Sequence, residues 1–223
     1  MSKKLITNLN EMETSKPFIS AQYSEALYKN ATHILGFCFD GTTSFRPGAR
    51  FGPDAIRDAS FGLETYSPYL QKDLEDYSIV DCGNLPIYPS KWKLTNDYFH
   101  GITKDLKLDQ DKIKFLTLGG EHSISYGPMR LYLENFSELV IIHLDAHTDF
   151  RDGYLGEKFS HASIMKRIWD HMTPKNELIQ YGIRSGPREE FEFMQQNNTQ
   201  AQSLEELLSR IDQLSPKRAI YLT

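Results

Sequence analysis

The run Leu139-Val140-Ile141-Ile142-His143-Leu144 is apolar on both parities except for one histidine, and that pattern leaves few folds open. A strand with one face in water alternates apolar and polar residues. A strand buried on both faces does not, and such strands belong to parallel sheets covered by helices on either side. Further runs read as strands from His33 to Phe39, Ser78 to Cys82, Lys114 to Leu118, Leu178 to Ile183 and Arg218 to Leu222. Between them lie helical patterns from Pro53 to Tyr66, Thr95 to Leu106, Ser123 to Asn135, His161 to Asp170, Arg188 to Asn197 and Leu204 to Leu214. Strand and helix alternate along the whole chain, which predicts an α/β domain: three α/β/α layers around a mostly parallel sheet.

Local signals fix some of the helix ends. Ser203-Leu204-Glu205-Glu206 reads as a capping box, with the Ser203 hydroxyl and the Glu206 carboxylate satisfying free N–H groups. Pro53 suits the first turn of its helix, where no N–H partner is lost. Pro128 falls in the first turns of the Ser123 helix and is expected to kink or delay it.

The 223 residues suffice for one domain, 1–223, that buries about 70% of the unfolded chain's surface. Cys38 and Cys82 fall inside predicted strands, so both read as buried thiols in a reducing compartment. A net charge of -5 with no Lys/Arg cluster excludes a nucleic-acid footprint and suits a small cationic ligand. The segment Met1 to Asn8 has no apolar core, and no run of about 18 apolar residues occurs, so neither a signal peptide nor a membrane span is predicted. A cytoplasmic protein follows.

Two stretches carry the chemistry. Gly119-Gly120-Glu121-His122-Ser123 follows one predicted strand, and Asp145-Ala146-His147-Thr148-Asp149 follows the apolar run. Ligands of parallel sheets bind beyond the carboxyl ends of the strands, where both motifs lie. Imidazoles and carboxylates without a thiolate favour Mn, Fe, Co, Ni or Zn over Ca or Mg. In a continued strand Asp145, His147 and Asp149 would stand about 7 Å apart. Bonds of about 2.1 Å to one ion need them closer, so the backbone must curl after Asp145. A carboxylate can bridge two ions and a neutral imidazole cannot. The pattern therefore predicts a dinuclear site with His122 and Asp149 on one ion, His147 on the other, and Asp145 bridging.

These motifs resemble the first two metal motifs of the ureohydrolases, the arginase and agmatinase superfamily, which hydrolyse guanidino groups at a binuclear manganese centre. Gly36-Phe37-Cys38-Phe39-Asp40-Gly41-Thr42-Thr43-Ser44-Phe45-Arg46-Pro47-Gly48-Ala49-Arg50-Phe51-Gly52-Pro53, continued by Ile56-Arg57, is similar to the N-terminal signature of the bacterial agmatinase branch. So are the loop from Arg151 to Ser163, Gly182-Ile183-Arg184-Ser185 and Asp81-Cys82-Gly83, with Asn84 in place of the usual acid. The resemblance implies an arginase/deacetylase-like fold, two Mn2+ ions and manganese ligands His122, Asp145, His147 and Asp149. It implies hydrolysis of agmatine to urea and putrescine, a step of polyamine biosynthesis, by a hydroxide bridging the ions. Asp149 would take part in proton transfer, and His161 would line the site, moving protons or holding substrate. The family commonly forms trimers or hexamers.

Guanidinobutyrase and arginase activities stay open beside it, as do a mononuclear deacetylase-type hydrolase and a non-catalytic subunit. The family's third motif, SxDxDxxDP, and a later glutamate that receives the guanidinium have no counterpart before Thr223. The expectation is thus a C-terminally incomplete fold with Arg218 to Thr223 as an apolar edge strand, weak metal retention and an inactive or aggregating 223-residue chain.

Overall fold

A computed structural model describes residues 4–6, 12, 16–88 and 91–223. Of the N-terminal segment read above as lacking an apolar core, all but 4–6 lies outside the described residues. The chain divides into two compact units, Met1–Pro128 and Met129–Thr223.

In the first unit, β2 (Gln22–Tyr23), β4 (Thr32–Phe37), β7 (Ile79–Asn84) and β8 (Lys114–Gly119) form a sheet in the order β2-β7-β4-β8. Every pairing in it is parallel. Two small antiparallel ribbons accompany it: β1 (Lys4–Ile6) with β3 (Leu27–Tyr28), and β5 (Tyr66–Ser67) with β6 (Lys72–Asp73). The helices are α1 (Gly52–Ser60), α2 (Trp92–Thr103) and the short α3 (Leu108–Asp111). Ile34, Leu35, Phe37 and Phe99 are almost fully buried, and the Phe37 and Phe99 rings meet at 5.5 Å.

A buried ion pair anchors α1 to this sheet. The guanidinium of Arg57 donates from Nε to Asp81 Oδ2 at 2.8 Å and from Nη2 to Asp81 Oδ1 at 2.9 Å. Its remaining hydrogens reach Asn84 Oδ1 at 2.6 Å and the Gly83 carbonyl at 3.1 Å. Asp81 also accepts from the Phe18 and Gly83 amides. Both charges are desolvated, and this fork geometry with its added partners offsets that cost. Arg57 and Asp81-Cys82-Gly83, two separate segments in the sequence, are one structural device. Cys38 and Cys82 are free thiols, and burial pushes them up to about 11 and about 12.

The second unit contains β9 (Val140–Leu144), β10 (Glu177–Tyr181), β11 (Gln200–Ala201) and β12 (Ile220–Leu222), again all parallel, in the order β11-β10-β9-β12. Helices α5 (Ile164–Trp169), α6 (Arg188–Gln196) and α7 (Leu204–Asp212) connect them. Val140, Ile142, Ile179, Ala201 and Leu207 form one buried cluster, with Tyr181, Ile211 and Leu214 packed against it. β9 lies inside the sheet and β12 at its edge, where Ile220 and Leu222 are 45% and 62% exposed. The expected edge strand with apolar surface is present.

The six long strands and six helices read from the sequence are all found, with ends shifted by a few residues. The largest change is at the helix read from Pro53 to Tyr66, which stops at Ser60. A 3-10 turn, His122–Ser125, precedes α4 (Tyr126–Asn135), so Pro128 delays the α-helix as expected. Ser203 accepts from the Glu206 amide at 3.2 Å, whereas the Glu206 carboxylate takes the Gln202 amide at 2.8 Å, one residue earlier than in the usual reciprocal box. None of the described helices is long and apolar enough to cross a membrane.

His33 on β4 is fully buried and accepts the Tyr28 amide at Nε2, 2.9 Å away. Burial pushes its imidazole from 6.5 down to about 4, against a small upward pull from the Lys114 backbone. The unfolded chain therefore binds the extra proton between those values, so stability is whole above pH 6.5 and is lost as pH falls towards 4. We expect this residue to cost about 2 kcal/mol between pH about 7 and about 5. His33→Gln, whose carbonyl can take the same amide, should flatten the melting temperature over that range, and an unchanged pH slope would reject the assignment.

Candidate metal centre

The second motif begins where β9 runs out. Leu144 pairs with Tyr181, and the parallel alignment continues briefly beyond the strand. The Asp145 amide donates to the Tyr181 carbonyl at 3.2 Å, and the Arg184 and Ser185 amides donate to the Ala146 carbonyl at 2.9 and 3.0 Å. Gly182 allows this approach: its φ is 88°, and a Cβ there would stand 3.0 Å from the Asp145 carbonyl oxygen.

The curl required by the motif spacing follows at once. Asp145 Oδ1 accepts the His147 amide at 2.8 Å, closing an Asx turn. Asp149 then takes a left-handed φ of 55°, which aspartate tolerates better than most residues. Its carbonyl accepts the Met165 and Lys166 amides at 3.1 and 3.2 Å, tying the loop to the start of α5.

Glu190 of α6 holds the loop from below. Its Oε2 accepts the Thr148 hydroxyl and, at 3.2 Å, the Phe150 amide, so it grips the residues on either side of Asp149. Phe150, Trp169 and Phe193 pack beside it, with the Phe150 and Phe193 rings 4.7 Å apart. The sequence reading did not single out Glu190, because an acidic residue in a helix with many others carries no local signal.

Within this unit His143, Asp145 and Asp149 each offer a donor atom, and these atoms lie within 4.8 Å of one another. Asp149 is 7% exposed and His143 fully buried. Two carboxylates so close repel unless a cation or a proton stands between them. The oxygen and nitrogen donors suit a divalent ion of borderline hardness. The set fits a metal, and it contains an imidazole, His143, that the sequence reading assigned no role.

The other expected residues lie as follows. His147 turns outward: its side chain is 64% exposed, with Nδ1 3.3 Å from Asp145 Oδ1. His161 opens the 3-10 turn before α5, half-buried, with its ring edge-on to Tyr154 at 5.4 Å, and Arg151 lies over the same Tyr154 ring. Ser160 and Ser163 cap that turn reciprocally.

In the first unit, His122 follows the carboxyl end of β8 and is half-buried. Gly120 before it has φ 47°, and a Cβ there would stand 2.4 Å from the Phe37 carbonyl oxygen. Glu121 points its buried carboxylate into the protein, accepting the Ser123 amide at 2.7 Å and the Ser123 and Thr42 hydroxyls at 2.8 and 2.7 Å. Trp92 donates from Nε1 to the Ser123 carbonyl at 3.4 Å. Asp40 Oδ2 accepts the Gly48 amide at 2.7 Å and Arg50 Nε at 3.1 Å, folding up the loop that also carries Thr42.

A family model described as the Arginase family matches residues 30–223. The chain is 36% identical over 217 residues to the agmatinase of Bacillus cereus, covering 96% of this chain and 73% of that protein. Over 165 residues it is 34% identical to the N(1)-aminopropylagmatine ureohydrolase of Thermococcus kodakarensis, covering 74% of this chain and 55% of that one. The solved structure of the agmatine ureohydrolase of Thermoplasma volcanium superposes with a TM-score of 0.76 at 26% identity, covering 94% of this chain and 71% of that one.

Removing the Glu190 carboxylate leaves the Phe150 amide buried without its acceptor, at a cost of about 1 to 3 kcal/mol. We expect Glu190→Ala to lower unfolding stability by about that amount and Glu190→Gln, which keeps one acceptor oxygen, to lose less. Chemical denaturation of both variants checks the order, and equal losses would show that packing alone matters.

Proposed function

The chain belongs to the arginase family, and on that premise we propose that it is an agmatinase: a metal-dependent hydrolase that cleaves the guanidino C–N bond of agmatine to give urea and putrescine. The observation that carries this reading is the 36% identity to an agmatinase across 96% of the chain. It is supported by the close pair of carboxylates, Asp145 and Asp149, at the end of the inner strand β9, which suits a divalent ion.

We assign metal binding to His122, Asp145, His147 and Asp149, which would hold a pair of Mn2+ ions, with Asp145 as the carboxylate that would be shared between them. His122 and His147 enter this set from their motifs, and Asp145 and Asp149 from their motif and from the proximity of their carboxylates. When bound, the two ions supply the positive charge that makes water nucleophilic near neutral pH. The turn held by Glu190 and the Asp149 carbonyl keeps the Asp149 carboxylate where it accepts a hydrogen bond from the attacking water. Asp149 then passes that proton towards the departing amine, whose pKa rises as the C–N bond breaks. His161, on the loop before α5, exchanges protons with solvent or steadies the substrate chain.

The substrate is a small cation, in keeping with the net charge of -5. The enzyme works in the cytoplasm, which the free Cys38 and Cys82 support, and it assembles as a homo-oligomer, as the family does. A second reading, in which the substrate carries an aminopropyl extension, draws on the likeness to the Thermococcus kodakarensis enzyme.

Urea release tests these readings, with agmatine, N(1)-aminopropylagmatine, guanidinobutyrate and arginine as parallel substrates for two Mn-loaded forms: the 223-residue chain and one extended through the family's third motif. Agmatine is expected to be hydrolysed with the highest kcat/KM. A higher value with aminopropylagmatine would select the second reading, and no urea from any of the four substrates with either form would sink the ureohydrolase assignment. Asp149→Asn keeps a side chain that tolerates the left-handed backbone, so the fold should survive while turnover falls about 100- to 10,000-fold. Near-normal turnover in that variant would remove Asp149 from the proton path.

A further inference from the structure

His143 is two residues before Asp145 and has no exposed surface. Gln180 stands directly opposite it across the β9–β10 ladder. Gln180 Nε2 lies 3.1 Å from His143 Nδ1 and 3.1 Å from the carbonyl oxygen of Thr148. A backbone carbonyl only accepts, so the amide atom that faces Thr148 is the NH2 group. That same NH2 group faces His143, and Nδ1 must therefore be the acceptor. At the other end of the amide the Thr199 hydroxyl donates to Gln180 Oε1 at 3.0 Å, in agreement with this orientation. The Thr199 carbonyl also takes the Gln180 backbone amide at 2.7 Å, so the strand beneath is held as well.

A neutral imidazole that accepts at Nδ1 carries its proton on Nε2. An imidazolium would set an Nδ1 proton against the amide protons of Gln180, and the flipped amide would set oxygen against the Thr148 oxygen. His143 Nε2 faces Asp145 Oδ2 at 3.5 Å, longer than a formed hydrogen bond, while the other oxygen of that carboxylate takes the His147 amide. A protonated Nε2 has no lone pair to give to a metal ion.

We propose that His143, despite its place among the donor atoms, is not a metal ligand but a positioning residue that directs its Nε2 proton at Asp145. Thr199, Gln180 and the Thr148 carbonyl set its tautomer. The device orients a carboxylate that would hold the metal, and to that extent it rests on the function proposed above. The Thr148 carbonyl belongs to the same loop as Asp149, so one glutamine amide reads the position of the loop and fixes the ring that faces Asp145. Partners of this kind, one step removed from the ion, are typically worth about 10- to 100-fold in metal affinity.

Histidine 15N spectra of the metal-free chain test the tautomer directly. A pyridine-like Nδ1 and a protonated Nε2 at His143 are expected, with Gln180→Leu releasing this preference. A protonated Nδ1 in the parent chain would overturn the proposal. Titration with 113Cd, a diamagnetic substitute, should give cadmium–nitrogen coupling at His122 and His147 and none at His143. Coupling to His143 Nε2 would make it a ligand and end the proposal.

Coupling to no histidine would count against the metal assignment of the preceding section, while the metal-free spectrum still decides the tautomer. For affinity, His143→Gln offers an amide N–H that reaches as far as Nε2, and it should hold Mn2+ within about threefold of the parent. His143→Phe, of similar volume, should bind about 10- to 100-fold more weakly. Equal losses in the two variants would show that volume, not the directed proton, is what the site uses.

Discussion

The parallel ladder between β9 and β10 is the constraint from which the second unit is built. It sets Leu144 against Tyr181 and His143 against Gln180. Because both strands are covered on both faces, each polar side chain they carry must find a partner inside the protein. Gln180 and the Nδ1 side of His143 solve that problem for each other, with Thr199 and the Thr148 carbonyl, while His143 Nε2 faces Asp145 at 3.5 Å. The ladder also fixes where the chain can turn. Its last backbone bond is from the Thr148 amide to the Ser185 carbonyl, the Asx turn begins at Asp145, and Asp149 takes a left-handed φ. Glu190 and the start of α5 hold what the turn has set.

The first unit uses a different interaction to the same end. Arg57 joins α1 to the carboxyl end of β7 through a forked pair with Asp81 in a site closed to water. Asp40 and Glu121 then gather the loops beyond β4 and β8 by accepting backbone amides and hydroxyls. Both are acids in motifs where an acid invites reading as a ligand or a catalyst. Here their oxygens are occupied with loop construction.

Much of this was legible because burial on two faces leaves a plain mark in β4, β7, β9 and β10, while the edge strands β8 and β12 are apolar runs that stay partly exposed. β4, β7, β8, β9, β10 and β12 coincide with the apolar runs, and the mostly parallel pairing with flanking helices follows from their alternation with amphipathic segments. The short pieces were not legible. β11 is two residues long, β1 with β3 and β5 with β6 are ribbons of two or three, and α3 is a single turn. None is long enough to show a period, and their place comes from neighbouring chain. At the site, proximity of Asp145 to Asp149 follows from the curl that the motif spacing demanded. His143 was hidden by its surroundings, since a histidine within an apolar run reads as one more core residue. Its partner Gln180 comes 37 residues later, and no local pattern joins them. Glu190 was hidden in the same way, its partners lying 42 and 40 residues before it.

The chain has two tryptophans, and each stands next to one of the motif loops. Trp92 donates its indole N–H to the carbonyl of Ser123, the residue after His122. Trp169 meets Phe150, the residue after Asp149, edge-on at 6.1 Å. Both indoles pack against aromatic rings, Trp92 against Tyr126 at 5.3 Å, but Trp92 is also polarised by the hydrogen bond to its loop, so the two emit from unlike surroundings. The protein carries a built-in optical probe for each half of its chemistry, and replacing either tryptophan by phenylalanine would leave the other to report on its own loop alone.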